Sequence, residues 1–405
     1  MFAPLRYPAF RLLTAGRVIT QLGDSVATIA LAFAVLDLTG SVVSLGLVVG
    51  LRSFMSVLSL LFGGVVADRL PRHLVLVGSS AVSALSQGAL AFLVITGSAT
   101  VPVVAVLAAI NGVAVAFSWP ASAAITPQTA PAKSWQQANA LVRLGVSSSK
   151  IVGASAGGLL VAVVGPGWGL ALDALTFALA GLCFLLIRVP RAAPATERTS
   201  MVRELAEGWR EFVSRRWVWV VVVGFMFLNA AVVGVLQVLG PAVADATIGR
   251  SAWGLVLAAQ TAGMAVGAVI AMRLRVRRLL FVGCACMLLD VVLPLTLAIS
   301  PQTWTLVIMA FLAGVGLEQF GVAWETSMQQ HIPADRLARV YSYDAIGSFL
   351  AVPIGEIAIG PAAHAFGVTE TLFAAAGVIA LATLFMLGSR SVRGLRNTSP
   401  ALSAG

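Results

Sequence analysis

Gly64-Val-Val-Ala-Asp68-Arg69-Leu-Pro71-Arg72-His73-Leu74 is a charged turn between two long apolar runs, Val42–Val66 and Leu74–Ile95. Each run is near the roughly 20 residues that an α-helix needs to cross a bilayer. Asp68, Arg69, Arg72 and His73 do not belong in hydrocarbon, so the chain leaves the membrane here and returns. The same alternation repeats outward in both directions. On the N-terminal side lies Leu12–Leu36. On the C-terminal side follow Val101–Ile125, Ala138–Val164 and Trp168–Ile187. After a long connection come Trp217–Leu239, Ala252–Met272, Leu279–Ile299, Trp304–Met328, Val340–Ala363 and Thr369–Leu387. The pattern predicts an all-α integral membrane protein with about twelve transmembrane helices.

Positive charge gives the orientation. Of the 26 Lys and Arg, only Arg17, Arg52, Arg143 and Lys150 fall inside apolar runs, and only Arg250 falls on the opposite side. The rest occupy the N-terminus, the even-numbered connections and the C-terminal tail. Basic loops stay on the cytoplasmic face. The expectation is a multi-pass protein of the plasma membrane, a bacterial inner membrane, with both termini cytoplasmic.

Composition agrees. The chain has 405 residues, 59% hydrophobic and 10% charged, with mean hydropathy +0.97. Soluble domains carry about 25% charged residues. A net charge of +10 would point to nucleic acid in a soluble protein. Here topology and contact with anionic lipid account for it, and no nucleic-acid partner is expected. Residues 1–11 lack the pattern of a cleaved signal, so the first span is expected to be retained. Cys183, Cys284 and Cys286 all sit in apolar runs and read as packing residues.

The long connection, Arg188 to Arg216, is polar. Its second part places Met201, Leu205, Trp209 and Phe212 at helical spacing, with Arg203, Glu204, Glu207 and Arg210 between them. That spacing predicts an amphipathic helix lying on the inner membrane surface. The halves on either side look duplicated, with an offset of about 202–205 residues. Arg72-His-Leu-Val-Leu-Val-Gly78 matches Arg277-Arg-Leu-Leu-Phe-Val-Gly283, Pro131-Ala132 matches Pro333-Ala334, and Gly153 and Gly158 match Gly355 and Gly360. An internal repeat in a helical membrane protein points to a transporter. The expected organisation is two pseudo-symmetric six-helix bundles, 1–190 and 217–389. A cytoplasmic linker, 191–216, joins them, and a disordered cytoplasmic tail, 390–405, follows.

Three motifs carry a family resemblance. Gly64, Asp68, Arg69 and Arg72 resemble the signature loop between the second and third helices of the major facilitator superfamily, with Pro71 in place of a Gly and His73 in place of a base. In the fifth span, Ser149-Lys-Ile-Val-Gly153-Ala-Ser-Ala-Gly157-Gly158 is similar to the antiporter signature of drug exporters, with Ala154 where that motif has Pro. The residue reading of Gly153, Gly157 and Gly158 alone is a small-residue helix interface. The first span holds Arg17-x-x-x-Gln21-x-Gly23-Asp24, the second holds Arg52, and the fourth has Asn111-Gly112 with no base. That combination resembles the macrolide-efflux and siderophore-exporter branch of drug:proton antiporters. The resemblance implies proton-coupled efflux of a drug-like or natural-product compound by alternating access. It also implies a small-molecule substrate, protons and lipid as partners, no cofactor, and a monomer. Alternatives are a siderophore or metabolite exporter, an importer of the same fold, and a non-transporting scaffold or sensor.

Buried charge supplies the candidate residues, because ions at membrane depth are expensive. Arg17, Gln21 and Asp24 share one face of the first span. Asp24, Arg17, Arg52 and Glu318 are the proton-coupling candidates, with Asp24 expected to titrate and to pair with Arg17 or Arg52. The alternative is a permanent ion pair locking the first two helices. The cations Arg52, Arg143 and Lys150 in the first half, and Asp344 and Glu356 in the second, are candidate inter-bundle gates. Gln21, Asn111, Trp119, Asn229, Gln237, Gln260 and Trp324 are candidate substrate contacts. Gly153-Ala-Ser155-Ala-Gly157 mimics a hydrolase elbow, but it lies in an apolar helix. The sequence also has no P-loop, no metal set and no nucleophile–base pair, so a transporter is expected rather than an enzyme.

Overall fold

A computed structural model describes residues 3–69, 71–131, 134–187, 209–210, 212–274 and 276–397. Among these, 12 helices are long and apolar enough to cross a membrane. The first six are α1 Pro8–Thr39, α2 Val42–Arg69, α3 Arg72–Ile95, α4 Val101–Thr129, α5 Trp135–Val164 and α6 Pro166–Leu185. Their ends follow local chemistry. Gly40 closes α1 in the left-handed region at φ 60°, where a side chain is unfavourable. Pro sits in the first turn of α1, α4 and α6, where its missing N–H is tolerated.

The second set is less regular. α7 spans Arg216–Ala246 and contains a π-helical turn at Val235–Leu239. α8 is Arg250–Arg273. α9 spans Leu279–Ile299 and is interrupted by a 3-10 turn at Met287–Val291. α10 is Thr303–His331. The eleventh span is broken into α11 Ala334–Phe349 and α12 Val352–Phe366, with Pro353 in the first turn after the break. α13 Val368–Gly388 completes the set, followed by a short α14 Arg390–Gly394.

The chain divides into two compact units. Unit 1 holds α1–α6 together with Gly240–Ala258, the end of α7 and the start of α8. Unit 2 holds the remainder. The division departs from the expected boundaries, because the tip of the α7–α8 hairpin packs with α1 and α5. Gly158 of α5 and Gly254 of α8 meet so closely that a Cβ added at Gly158 would lie 2.8 Å from the Gly254 Cα. Within unit 1, Gly153 and Gly157 let α5 approach α1. A Cβ at Gly153 would lie 2.7 Å from the Leu22 carbonyl oxygen, and one at Gly157 would lie 2.9 Å from the Val26 Cα. The helix 5 signature therefore acts here as a close-packing stripe.

Two peripheral expectations change. Most of the connection, including Met201, Arg203, Glu204, Leu205 and Glu207, lies outside the described residues. Its described end does not rest on lipid alone. Phe212 is buried, and Trp209 and Phe212 pack as tilted rings against Tyr343 of α11 at centroid distances of 5.5 and 5.9 Å. The aromatic faces find a protein partner there. The first part of the supposed disordered tail is folded: Val392 is fully buried, and Asn397 N–H donates to the Arg277 carbonyl (2.9 Å). Residues 398–405 lie outside the described residues.

Candidate functional site

The most ordered intramembrane charge is in unit 1. Arg52 Nη2 on α2 donates to Asp24 Oδ1 on α1 at 2.9 Å, with both side chains partly buried. Each alone at mid-span would cost about 2.5–3.5 kcal/mol on insertion scales. The pair answers that cost locally. α4 holds the arginine in place, since a Cβ at Gly112 would lie 2.5 Å from the Arg52 carbonyl oxygen and 3.2 Å from its Cγ. Of the two arginines expected as partners for Asp24, the structure selects Arg52. Arg17, half-buried one turn and more toward the N-terminus, has no ion-pair partner among the described residues.

A second carboxylate sits behind the first. Asp173 on α6 is fully buried, and Gln87 Nε2 on α3 donates to its Oδ2 at 2.5 Å. Its Oδ1 has no hydrogen-bond partner among the described residues. That oxygen lies against Gly23, where an added Cβ would be 2.6 Å away. Gly23 is the neighbour of Asp24, so consecutive residues of α1 carry the first carboxylate and pack against the second. Neither Asp173 nor Gln87 is among the candidates drawn from the sequence. The signal for Asp173 was the rarity of carboxylates at membrane depth.

The remaining unit 1 candidates are dispersed. Arg143 and Lys150 are exposed on α5. Gln21 reaches Ser25 Oγ only at 3.5 Å. Asn111, beside Gly112, is 1% exposed and its amide has no partner among the described residues. Trp119 is exposed. Of the signature turn, Gly64, Asp68 and Arg69 lie in the last turns of α2, with side chains outside the described residues. Arg72 opens α3 and is half-buried.

One cluster sits at the hairpin tip of the same unit. Arg250 Nη1 and Nη2 both donate to the Asp37 carboxylate at the end of α1, the former at 2.9 Å. Its Nε donates to Asp245 Oδ1 at 2.8 Å, and its guanidinium lies 4.8 Å from the Phe33 ring centroid. The forked guanidinium suits such bidentate contact. The one arginine expected on the non-basic side of the membrane is thus a clamp.

Unit 2 contains a cavity of about 320 Å³ bounded by α7, α10 and α11. Phe225 and Phe320 stack at 4.4 Å with 12° between their planes, and Trp324 continues the stack at 6.2 Å from Phe320. Asp344 supplies the charge: Trp324 Nε1 donates to its Oδ2 at 2.9 Å and Ser348 Oγ to its Oδ1 at 3.1 Å. Asn229 Nδ2 fixes this corner by donating to the Ser348 carbonyl (3.0 Å). Trp324, a candidate substrate contact, lines this cavity, while Asp344, a candidate gate, is hydrogen-bonded inside its own unit.

Other unit 2 candidates lie apart from that cavity. Glu318 is half-buried, its Cβ against Gly267 of α8. Glu356 of α12 is 1% exposed. Gln237 occupies the π turn of α7, and Gln260 packs its backbone against Gly314. Asp290, in the 3-10 turn of α9, is 3% exposed and its Oδ2 has no partner among the described residues. No group of His, Cys, Asp and Glu suited to a metal ion occurs among the described residues.

Comparison with known proteins follows this geometry. Solved structures similar to the chain include a bacterial homolog of the human lysosomal transporter Spinster, inward-facing and unoccupied, at 16% identity and TM-score 0.76, covering 97% of this chain and 99% of that one. The nucleoside transporter NupG aligns at 14% identity and TM-score 0.70, covering 94% and 98%. A bacterial homologue of the iron transporter ferroportin in its inward-facing state aligns at 17% and 0.72, covering 94% and 98%. At these identities the likeness shows the fold. No curated protein matches the sequence. The family model of the Major Facilitator Superfamily matches residues 13–244, more than half of the chain, and with twelve spans in two helical bundles the protein belongs to that superfamily of transporters.

Proposed function

We propose that the protein is a proton-coupled exporter of a drug-like or natural-product amphipathic compound, working by alternating access. The observation that carries this reading is the Arg52–Asp24 pair inside the membrane-spanning part of unit 1. In the arrangement seen, the guanidinium lies against the carboxylate and the two charges answer each other locally. Separating the two leaves a carboxylate at membrane depth, where taking up a proton removes the unpaired charge. Proton binding and the position of α1 against α2 are thereby linked. Arg52 is engaged with Asp24 here, which leaves the Arg52 charge committed inside unit 1.

The test uses inverted membrane vesicles with an imposed pH gradient and two probes, ethidium and radiolabelled erythromycin. Wild-type protein should accumulate at least one probe, and an uncoupler should abolish that accumulation. Asp24→Asn should lower gradient-driven uptake by about tenfold or more, the effect expected when a proton-carrying group is removed. Uptake that survives the substitution takes Asp24 out of the coupling role. No uptake of either probe rejects the efflux reading for these compounds.

A further inference from the structure

The aromatic cavity of unit 2 takes no part in the proton-coupling pair described above. Its wall is a stack of π faces, Phe225, Phe320 and Trp324, with Tyr341 beside them. Such faces attract cations through the ring quadrupole. Among the described residues that line it, the acidic one is Asp344. Both carboxylate oxygens accept hydrogen bonds, from the Trp324 indole and the Ser348 hydroxyl, which suits an ionised acceptor and fixes its direction. Neither donor carries a charge, and no Lys or Arg among the described residues forms an ion pair with Asp344. A negative charge in an aromatic cavity is unfavourable by itself where no described side chain pairs with it. A ligand that brings a positive charge relieves it. The volume of about 320 Å³ lies at the lower end of the roughly 300–1,000 Å³ of small-molecule sites.

We propose that this cavity binds a planar, hydrophobic organic cation, stacked along Phe320 and Trp324, with Asp344 as its counter-charge. The assignment deepens the transport reading by naming the class of cargo, and it rests on that reading for the step from binding to movement. The binding itself needs no gradient. It also gives Asp344 a role that its position in the sequence, among carboxylates expected to bridge the two halves, did not indicate.

The experiment compares N-methylacridinium with acridine, the same ring system with and without a fixed charge, at a pH where acridine is neutral. Equilibrium binding is measured by fluorescence on the full chain in lipid nanodiscs. Wild type should bind the cation about tenfold tighter or more, the range expected when a desolvated charge finds its partner. Asp344→Asn, nearly isosteric, should erase this preference, and Asp344→Glu should retain part of it. Equal affinity of the wild type for the two ligands overturns the proposal whatever the variants do, and so does a cation preference that survives Asp344→Asn. Failure of gradient-driven uptake with the charge preference intact would reject only the transport reading. Loss of the preference with uptake intact would reject only this one.

Discussion

Asp173 and Gln87 show how much a single buried pair can weigh. The Asp173 carboxyl has one oxygen bound by a neutral amide and the other facing the backbone of α1 at Gly23. Gln87→Ala would strand that bound oxygen in the core. Leaving a buried polar atom unsatisfied costs about 1–3 kcal/mol, so the variant should unfold earlier in thermal or denaturant titrations of the detergent-solubilised protein. Asp173→Asn keeps the shape and a hydrogen-bonding atom, and should change stability far less. Equal stability of wild type and Gln87→Ala would mean that the contact contributes nothing. At this scale the sequence disclosed the expensive residues and not their partners. Asp24 and Arg52 were visible as intramembrane ions, and their spacing on adjacent helices made pairing a fair expectation. Gln87 is an ordinary amide in an apolar run, and only the α3–α6 packing reveals its use. Asp344 was visible as a charge, but its aromatic surroundings come from α7 and α10 as well as its own helix.

The helices themselves were legible because hydropathy and positive charge act over about 20 residues at a time. The irregular turns were not. A π turn in α7 and a 3-10 turn in α9 leave no mark in hydropathy, since the residues stay apolar. The glycines of α5 were legible as a motif, and the structure shows them meeting Leu22, Val26 and Gly254. The hairpin tip was the least expected element. Arg250 ties the end of α1 to the start of α8 through Asp37, and α7 through Asp245. Arg250→Ala should loosen the tip. With Cys183, Cys284 and Cys286 replaced by Ala, a cysteine introduced by Ala244→Cys, at a position fully buried in the tip, should react with a membrane-impermeant maleimide about tenfold faster in the Arg250→Ala background. That factor corresponds to weakening the tip by about 1.4 kcal/mol, in the range of charge-assisted hydrogen bonds. An unchanged rate would show that glycine packing at Gly158 and Gly254 holds the tip without the clamp.

For the whole molecule, the distribution of arginine predicts which connections face which side. Alkaline phosphatase fused at Ser98, in the connection between α3 and α4, should be active. The same fusion at Pro131, between α4 and α5, should be silent, and a fluorescent protein fused at the C-terminus should fluoresce. The reverse pattern would invert the topology. The count of spans and the superfamily were both within reach of the sequence, whereas its division into units was not. Gly240–Ala258 belongs to unit 1 because of contacts made across long sequence separations, and no local pattern encodes them. The π turn at Val235–Leu239 lies at the boundary where α7 passes into that segment. A π turn holds one residue more than an α turn, and each residue of an α-helix advances about 100° around the axis. Moving the surplus residue along α7 would swivel Gly240–Ala246 by that angle while the backbone stays hydrogen-bonded, and Asp245 would be swung off its guanidinium as a key is turned out of a lock.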